Sequence, residues 1–199
     1  AEFCSNKYNS TTFKENILLH NFICSAYALV SSFTNNAFSM ALKSGRHARK
    51  LLHTAVEKGS RNELSEEEQE ELGFQFHKYY LCEITGKIGK SLCQLTETSK
   101  KYRDEAIIEL EKYVELTFGD NNCFSENDRG QAIIAQYMLV DLLCQNERQK
   151  EAKMHFEMAD IRENNLDRKV HSKIDWAMKM MATFWISRSE EHTSELQSP

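Results

Sequence analysis

Proline is almost missing from this chain. Only Pro199 is present, where average usage of roughly 5% would give about ten in 199 residues. Glycine is scarce as well, at seven. Proline and glycine break helices and build tight turns, so their scarcity excludes a loop-rich all-β fold and points to long helices. The six cysteines, at 4, 24, 82, 93, 123 and 144, are too far apart to form a CxxC pair, which removes the simple zinc and dithiol motifs. They read as buried thiols and favour a reducing, intracellular compartment, with the cytoplasm as the expected location. No charge dominates: net charge is −5, so no global attraction to nucleic acid is expected.

A long uninterrupted apolar run is also missing. The best stretch, residues 11–33, holds Ile17, Leu18, Leu19, Phe22, Ile23, Tyr27, Leu29 and Val30. His20, Asn21, Ser25, Ser31 and Ser32 interrupt it, and Glu15 and Thr34-Asn35-Asn36 bound it. It reads as a buried helix, and no membrane contact is expected.

What is present is helical periodicity. Over 36–58, Ala37, Met40, Ala41, Ala48, Leu51, Leu52, Ala55 and Val56 recur at three- and four-residue spacings, and Gly59 ends the pattern. Ser65-Glu66-Glu67-Glu68 is a capping box opening a helix that the apolar signal carries to 97. Its acidic run, Glu66 to Glu71, reads as a solvated helix start suited to the helix dipole. A clear amphipathic helix follows over 101–118, another from Ser125 to Cys144, one over 149–162, and a last one over 167–186. Seven helices with short connections and no strand make the expected class all-α.

The second member of each helix pair shares a triad: Ala48/Leu52/Ala55, Ala106/Leu110/Tyr113 and Ala152/Phe156/Ala159. A small residue permits close approach and a large one fills the space beside it. The triads resemble the second helix of a tetratricopeptide repeat, best over Leu139 to Ala159. The resemblance implies antiparallel helix pairs stacked as an α-solenoid. The units depart from the family's 34-residue period and lack its Trp, Gly and Tyr signature. The family's co-chaperones clamp a carboxylate with Lys and Asn; the matching positions here are Phe33, Ala37, Ser91, Leu95, Tyr137 and Asp141, so that activity does not carry over.

The last twelve residues, Arg188 to Pro199, resemble the in-frame translation of a sequencing-library adapter and contribute −2 to the net charge. The expected organisation is an irregular segment over 1–10, one helical-repeat domain over 11–187 belonging to a longer protein, and a non-native polar tail over 188–199.

Chemistry-bearing motifs are few. Gly86-Lys87-Ile88-Gly89-Lys90-Ser91 ends like a phosphate loop, but Ile84 stands where the first glycine belongs and the preceding residues are helical in pattern. The histidines lack paired-ligand spacing, and no nucleophile elbow occurs. No polar cluster inside the bundle is legible. Met178, Met180, Met181, Trp176 and Trp185 read as an edge where further helices would pack. Lys43, Arg46, Arg49 and Lys50, with His47 among them, form a basic patch opposite the apolar stripe, a candidate contact for an acidic partner. No catalytic residue, metal or cofactor is expected. The expected role is a non-catalytic scaffold binding a partner's peptide or helix on its concave face. The alternative is an accessory or regulatory region of a larger enzyme or signalling protein.

Overall fold

The structure is a computed structural model that describes residues 12–30, 36–61, 63–96, 99–119, 124–171 and 176–195. Among these residues every regular element is helical. In chain order they are α1 (Phe13–Leu29), α2 (Ala37–Ser60), α3 (Glu66–Glu71), α4 (Phe74–Thr96), a 3-10 turn (Lys100–Tyr102), α5 (Arg103–Phe118), α6 (Glu126–Gln145), α7 (Gln149–Asn164), α8 (Arg168–His171) and α9 (Trp176–Glu195). They cluster into two compact units, Ala1–Ser91 and Leu92–Pro199.

Helix starts follow side-chain chemistry. Capping boxes open α1 (Thr12 with Glu15), α3 (Ser65 with Glu68) and α6 (Ser125 with Asp128), satisfying amides that have no partner inside the helix. One helix expected to be continuous is divided. The pattern over 65–97 breaks at Leu72–Gly73, where the Gly73 amide turns back to the Glu70 carbonyl at 3.3 Å. Over 167–186 the described residues are helical as α8 and α9, and α9 runs on to Glu195.

In the first unit α1 packs along α2. The core holds Ile17, Cys24, Ala41, Ala48, Leu52 and Ala55, with Ile84 and Ile88 from α4. Asn21, which interrupts the apolar run in sequence, is buried and useful: its Oδ1 accepts from Lys87 Nζ at 2.7 Å. Lys87 also pairs with Glu83 at 2.7 Å, so one ammonium ties α4 to α1. Several residues of the expected apolar faces are exposed instead. They include Phe22, Leu29 and Val30 on α1 and Met40 and Val56 on α2. A single α-helix buries only one stripe, and these lie beside it.

In the second unit α6 is the central helix, packing against α5, α7 and α9. Ala132, Ile133, Ala135, Tyr137, Met138, Leu139, Val140, Leu142 and Leu143 are all buried, which leaves it almost no solvent face. The turn into α7 is a Schellman motif. The Arg148 amide reaches the Leu143 carbonyl (2.9 Å) and the Glu147 amide reaches Cys144 (3.1 Å). Glu147 occupies the left-handed position at φ 60°, where glycine is usual. Ile161 on α7 and Met181 and Phe184 on α9 face solvent, and Ala182 and Ile186 make the inner stripe of α9. Ile174 lies outside the described residues.

Gly45 is the tightest approach in the first unit. A Cβ there would stand 2.9 Å from Ile88 Cγ1 and 3.4 Å from Cys24 Sγ. Ile88 is fully buried and cannot swing away. Gly45→Ala should therefore destabilise the protein by about 1–2 kcal/mol, overpacking outweighing a gain in helix propensity of up to ~1 kcal/mol. Urea unfolding checks this; a more stable variant would mean that the crossing relaxes freely.

Candidate functional site

A concave feature of the first unit is a groove of about 300 Å³ walled by α2, α3 and α4. Leu52, Ala55, Val56 and Gly59 come from one face of α2, Leu64 from the connection, Gln69 from α3, Leu72 from its end, and Phe74 and His77 from the first turn of α4. The break at Gly73 makes this geometry, because it lets the acidic α3 leave the line of α4 and stand across from α2. Gln69 Nε2 donates to the Leu64 carbonyl at 3.0 Å, which holds the connection down as a floor. Phe74 is 74% exposed at the mouth, with Lys78 Nζ 5.8 Å from its ring centre. Among the described residues His77 Nε2 is a buried nitrogen without a hydrogen-bond partner. Burial, and the nearby His53, push the His77 imidazole below its ordinary pKa.

The basic patch lies elsewhere on α2. Lys43, Arg46 and Lys50 are exposed and Arg49 is half-buried. None of the four lines the groove. His47, within the same stretch, meets His20 of α1 edge-on with ring centres 4.3 Å apart. Burial and His47 lower the pKa of His20, whose Nδ1 is buried without a partner among the described residues.

The phosphate-loop-like sequence is mid-helix. Gly86 and Gly89 are buried inside a continuous α4, and no strand or loop precedes them. Burial, with Lys87 adding to it, pushes the Lys90 ammonium down to about 8. Cys24 and Cys82 are buried and Cys93 and Cys144 half-buried, all as thiols; Cys4 and Cys123 lie outside the described residues. Burial, reinforced by Asp141, pushes Cys144 up to about 11, which makes it a poor nucleophile. Met180 and Met181 are exposed on α9, Met178 and Trp185 are half-buried, and the side chain of Trp176 lies outside the described residues. Among the described residues no group of three His, Cys, Asp or Glu side chains is placed to hold a metal, and no helix is long and apolar enough to cross a membrane.

No polar cluster inside the helices was expected, yet the second unit contains one. The Tyr137 hydroxyl donates to Glu163 at 2.5 Å, and Lys179 reaches Glu163 at 2.9 Å and Asp160 at 2.8 Å. Arg162 donates to Gln136 Oε1 at 2.7 Å and lies 4.0 Å from the centre of the Phe118 ring. Burial, then the bond to Glu163, raise the pKa of Tyr137. Burial opposes the charge on Lys179, but its bonds to Asp160 and Glu163 outweigh that and raise its pKa. A signal for this cluster exists in the sequence. Glu163 continues the Ala152, Phe156, Ala159 stripe, and a carboxylate on an apolar stripe must find donors. The cluster joins α6, α7 and α9 through bonds made among its own members, which suits a structural role.

No protein-family model, curated protein or solved structure matches the chain.

Two measurements follow. Lys179→Met removes a cation from a carboxylate that is only 4% exposed, and should cost about 2 kcal/mol in urea unfolding. A neutral result would mean that Tyr137 alone suffices. The lowered pKa values of His20, His77 and His155 from the ordinary 6.5 favour their neutral forms in the folded state. The unfolded chain then binds more protons below pH 6.5, so stability is intact above that value and falls as acidification proceeds. Thermal melts between neutral pH and the start of the carboxylate range should show Tm dropping, with a shallower slope in His20→Gln; a flat profile would contradict the burial of these rings.

Proposed function

We propose that the chain is a protein-interaction module that receives an apolar side chain of a partner's peptide or helix in the α2–α3–α4 groove. The observation carrying this is the groove itself: apolar on its walls, open, and at the lower end of the volume of small-molecule sites, a size suited to an anchor side chain. Val56 and Phe74 stay exposed at its edge, where a bound segment would cover them. The tetratricopeptide-like reading belongs to the same proposal. Leu52 and Ala55 of the first triad are also groove residues, although they belong to the second helix of a pair and the expected concave face is lined by first helices.

Gly59 offers a test that separates binding from folding. A Cβ there meets only Leu64 Cδ1, at an ordinary 3.7 Å, so the position accepts a side chain, and Gly59→Leu adds bulk at a residue that lines the groove. Replacing a helical glycine should also raise stability, by up to ~1 kcal/mol. Displayed random peptides selected on the wild-type chain should fail to bind Gly59→Leu. Equal binding to both would place docking elsewhere.

A further inference from the structure

We propose that the partner segment is basic: an apolar anchor residue flanked by lysine or arginine, seated in the α2–α3–α4 groove with its cations against α3. This rests on the docking reading above and adds the charge of the occupant.

The groove is apolar inside and acidic around. Residues 57–78, which supply the connection, α3 and the start of α4, hold seven glutamates against Lys58, Arg61 and Lys78. Two of these cations have aromatic neighbours: Lys58 lies 4.9 Å from the centre of the Phe13 ring and Lys78 stands near Phe74. Two of the glutamates have defined roles. Glu68 accepts from the Ser65 amide and hydroxyl, both at 3.0 Å, and Glu71 pairs with Lys14 at 3.4 Å. Glu66, Glu67 and Glu70 are exposed, and among the described residues no ion pair engages them. Gln69 and Leu72, in the same short stretch, are groove residues, so these carboxylates stand within one turn of the anchor position.

The acidic run has a local explanation, since glutamates in a first turn suit the helix dipole. That accounts for Glu66 to Glu68, Glu71 has its ion pair with Lys14, and Glu70 is left at the opposite end of α3, where the dipole disfavours it. A like-charged end of this kind is a standing cost that an arriving cation relieves. His77 contributes a second feature. Its buried Nε2 leaves a hydrogen-bonding position in the wall unfilled. As a neutral imidazole it adds no positive charge against a cationic segment, and it can accept from an N–H donor beside the anchor.

The specificity this predicts is electrostatic at the rim and hydrophobic at the centre. Rim charges govern association rate and salt dependence, while the anchor governs residence. An acidic segment with the same anchor would meet the α3 carboxylates unrelieved.

The test uses the full chain and two labelled helical probe peptides carrying the same tryptophan anchor, one flanked by lysine and arginine, the other by glutamate. Fluorescence anisotropy at low salt should give the basic probe an affinity about tenfold tighter, a gap that closes at high salt. Glu66→Lys with Glu70→Lys should reverse the preference; Glu66→Gln with Glu70→Gln, milder for α3, should abolish it. Gly59→Leu should lose both probes. If both probes bind equally and Gly59→Leu blocks both, the charge assignment is wrong and the docking groove stands. If Gly59→Leu binds as the wild type does, the docking reading falls and this inference with it. A preference carried by Lys43, Arg46 and Lys50, seen as tighter binding of the acidic probe, would overturn the inference as well.

Discussion

A helix that is apolar on every side has to be surrounded, and α6 imposes that requirement on the second unit. Its buried residues face α5, α7 and α9 in turn, so none of those helices can be removed without exposing part of it. The arrangement brings Tyr137, fully buried, to where α7 and α9 meet α6. Its hydroxyl needs an acceptor there, Glu163 supplies one, and Glu163 in turn needs Lys179. One apolar helix thus generates a chain of polar obligations. Each hydrogen bond contributes only about 1 kcal/mol net, but leaving the carboxylate unpaired would cost several times that.

The first unit is built on close approach. Gly45 lets α2 come against Ile88 of α4 and Cys24 of α1, and the Lys87–Asn21 bond ties α4 to α1 from the polar side. That packing ends before the C-terminal third of α2 is covered. The next element is α3, a six-residue helix with no buried residue, so Val56 stays exposed beside the buried Leu52 and Ala55. The groove is what remains when a long apolar helix face is closed by a short charged one.

The helix class and most helix ends were legible, because periodicity, glycine positions and the Ser65 and Ser125 capping boxes are local signals. The break at Gly73 was not, since Leu72 and Phe74 continue the apolar pattern across it. The groove follows from that break and from the fold-back of Leu64, neither of which a periodic pattern encodes. Leu52 and Ala55 were visible as packing residues and not as walls of an open site. The basic patch was visible as sequence, yet it occupies a different part of α2 from the groove. Apolar residues such as Phe22, Ile161 and Phe184 read as core because composition marks a helix face more broadly than the stripe its neighbours cover.

The two walls of the groove differ in how firmly they are held. The α2 wall belongs to a core of fully buried side chains, whereas α3 is retained by one capping box, one ion pair and the Gln69 bond. Segments with few buried contacts open at low free energy, independently of global unfolding. Amides of residues 66–71 should therefore exchange with solvent deuterium well before those of 41–55. Part of any binding energy at the groove is then spent on ordering α3, which couples affinity to the stiffness of a helix that barely touches the core.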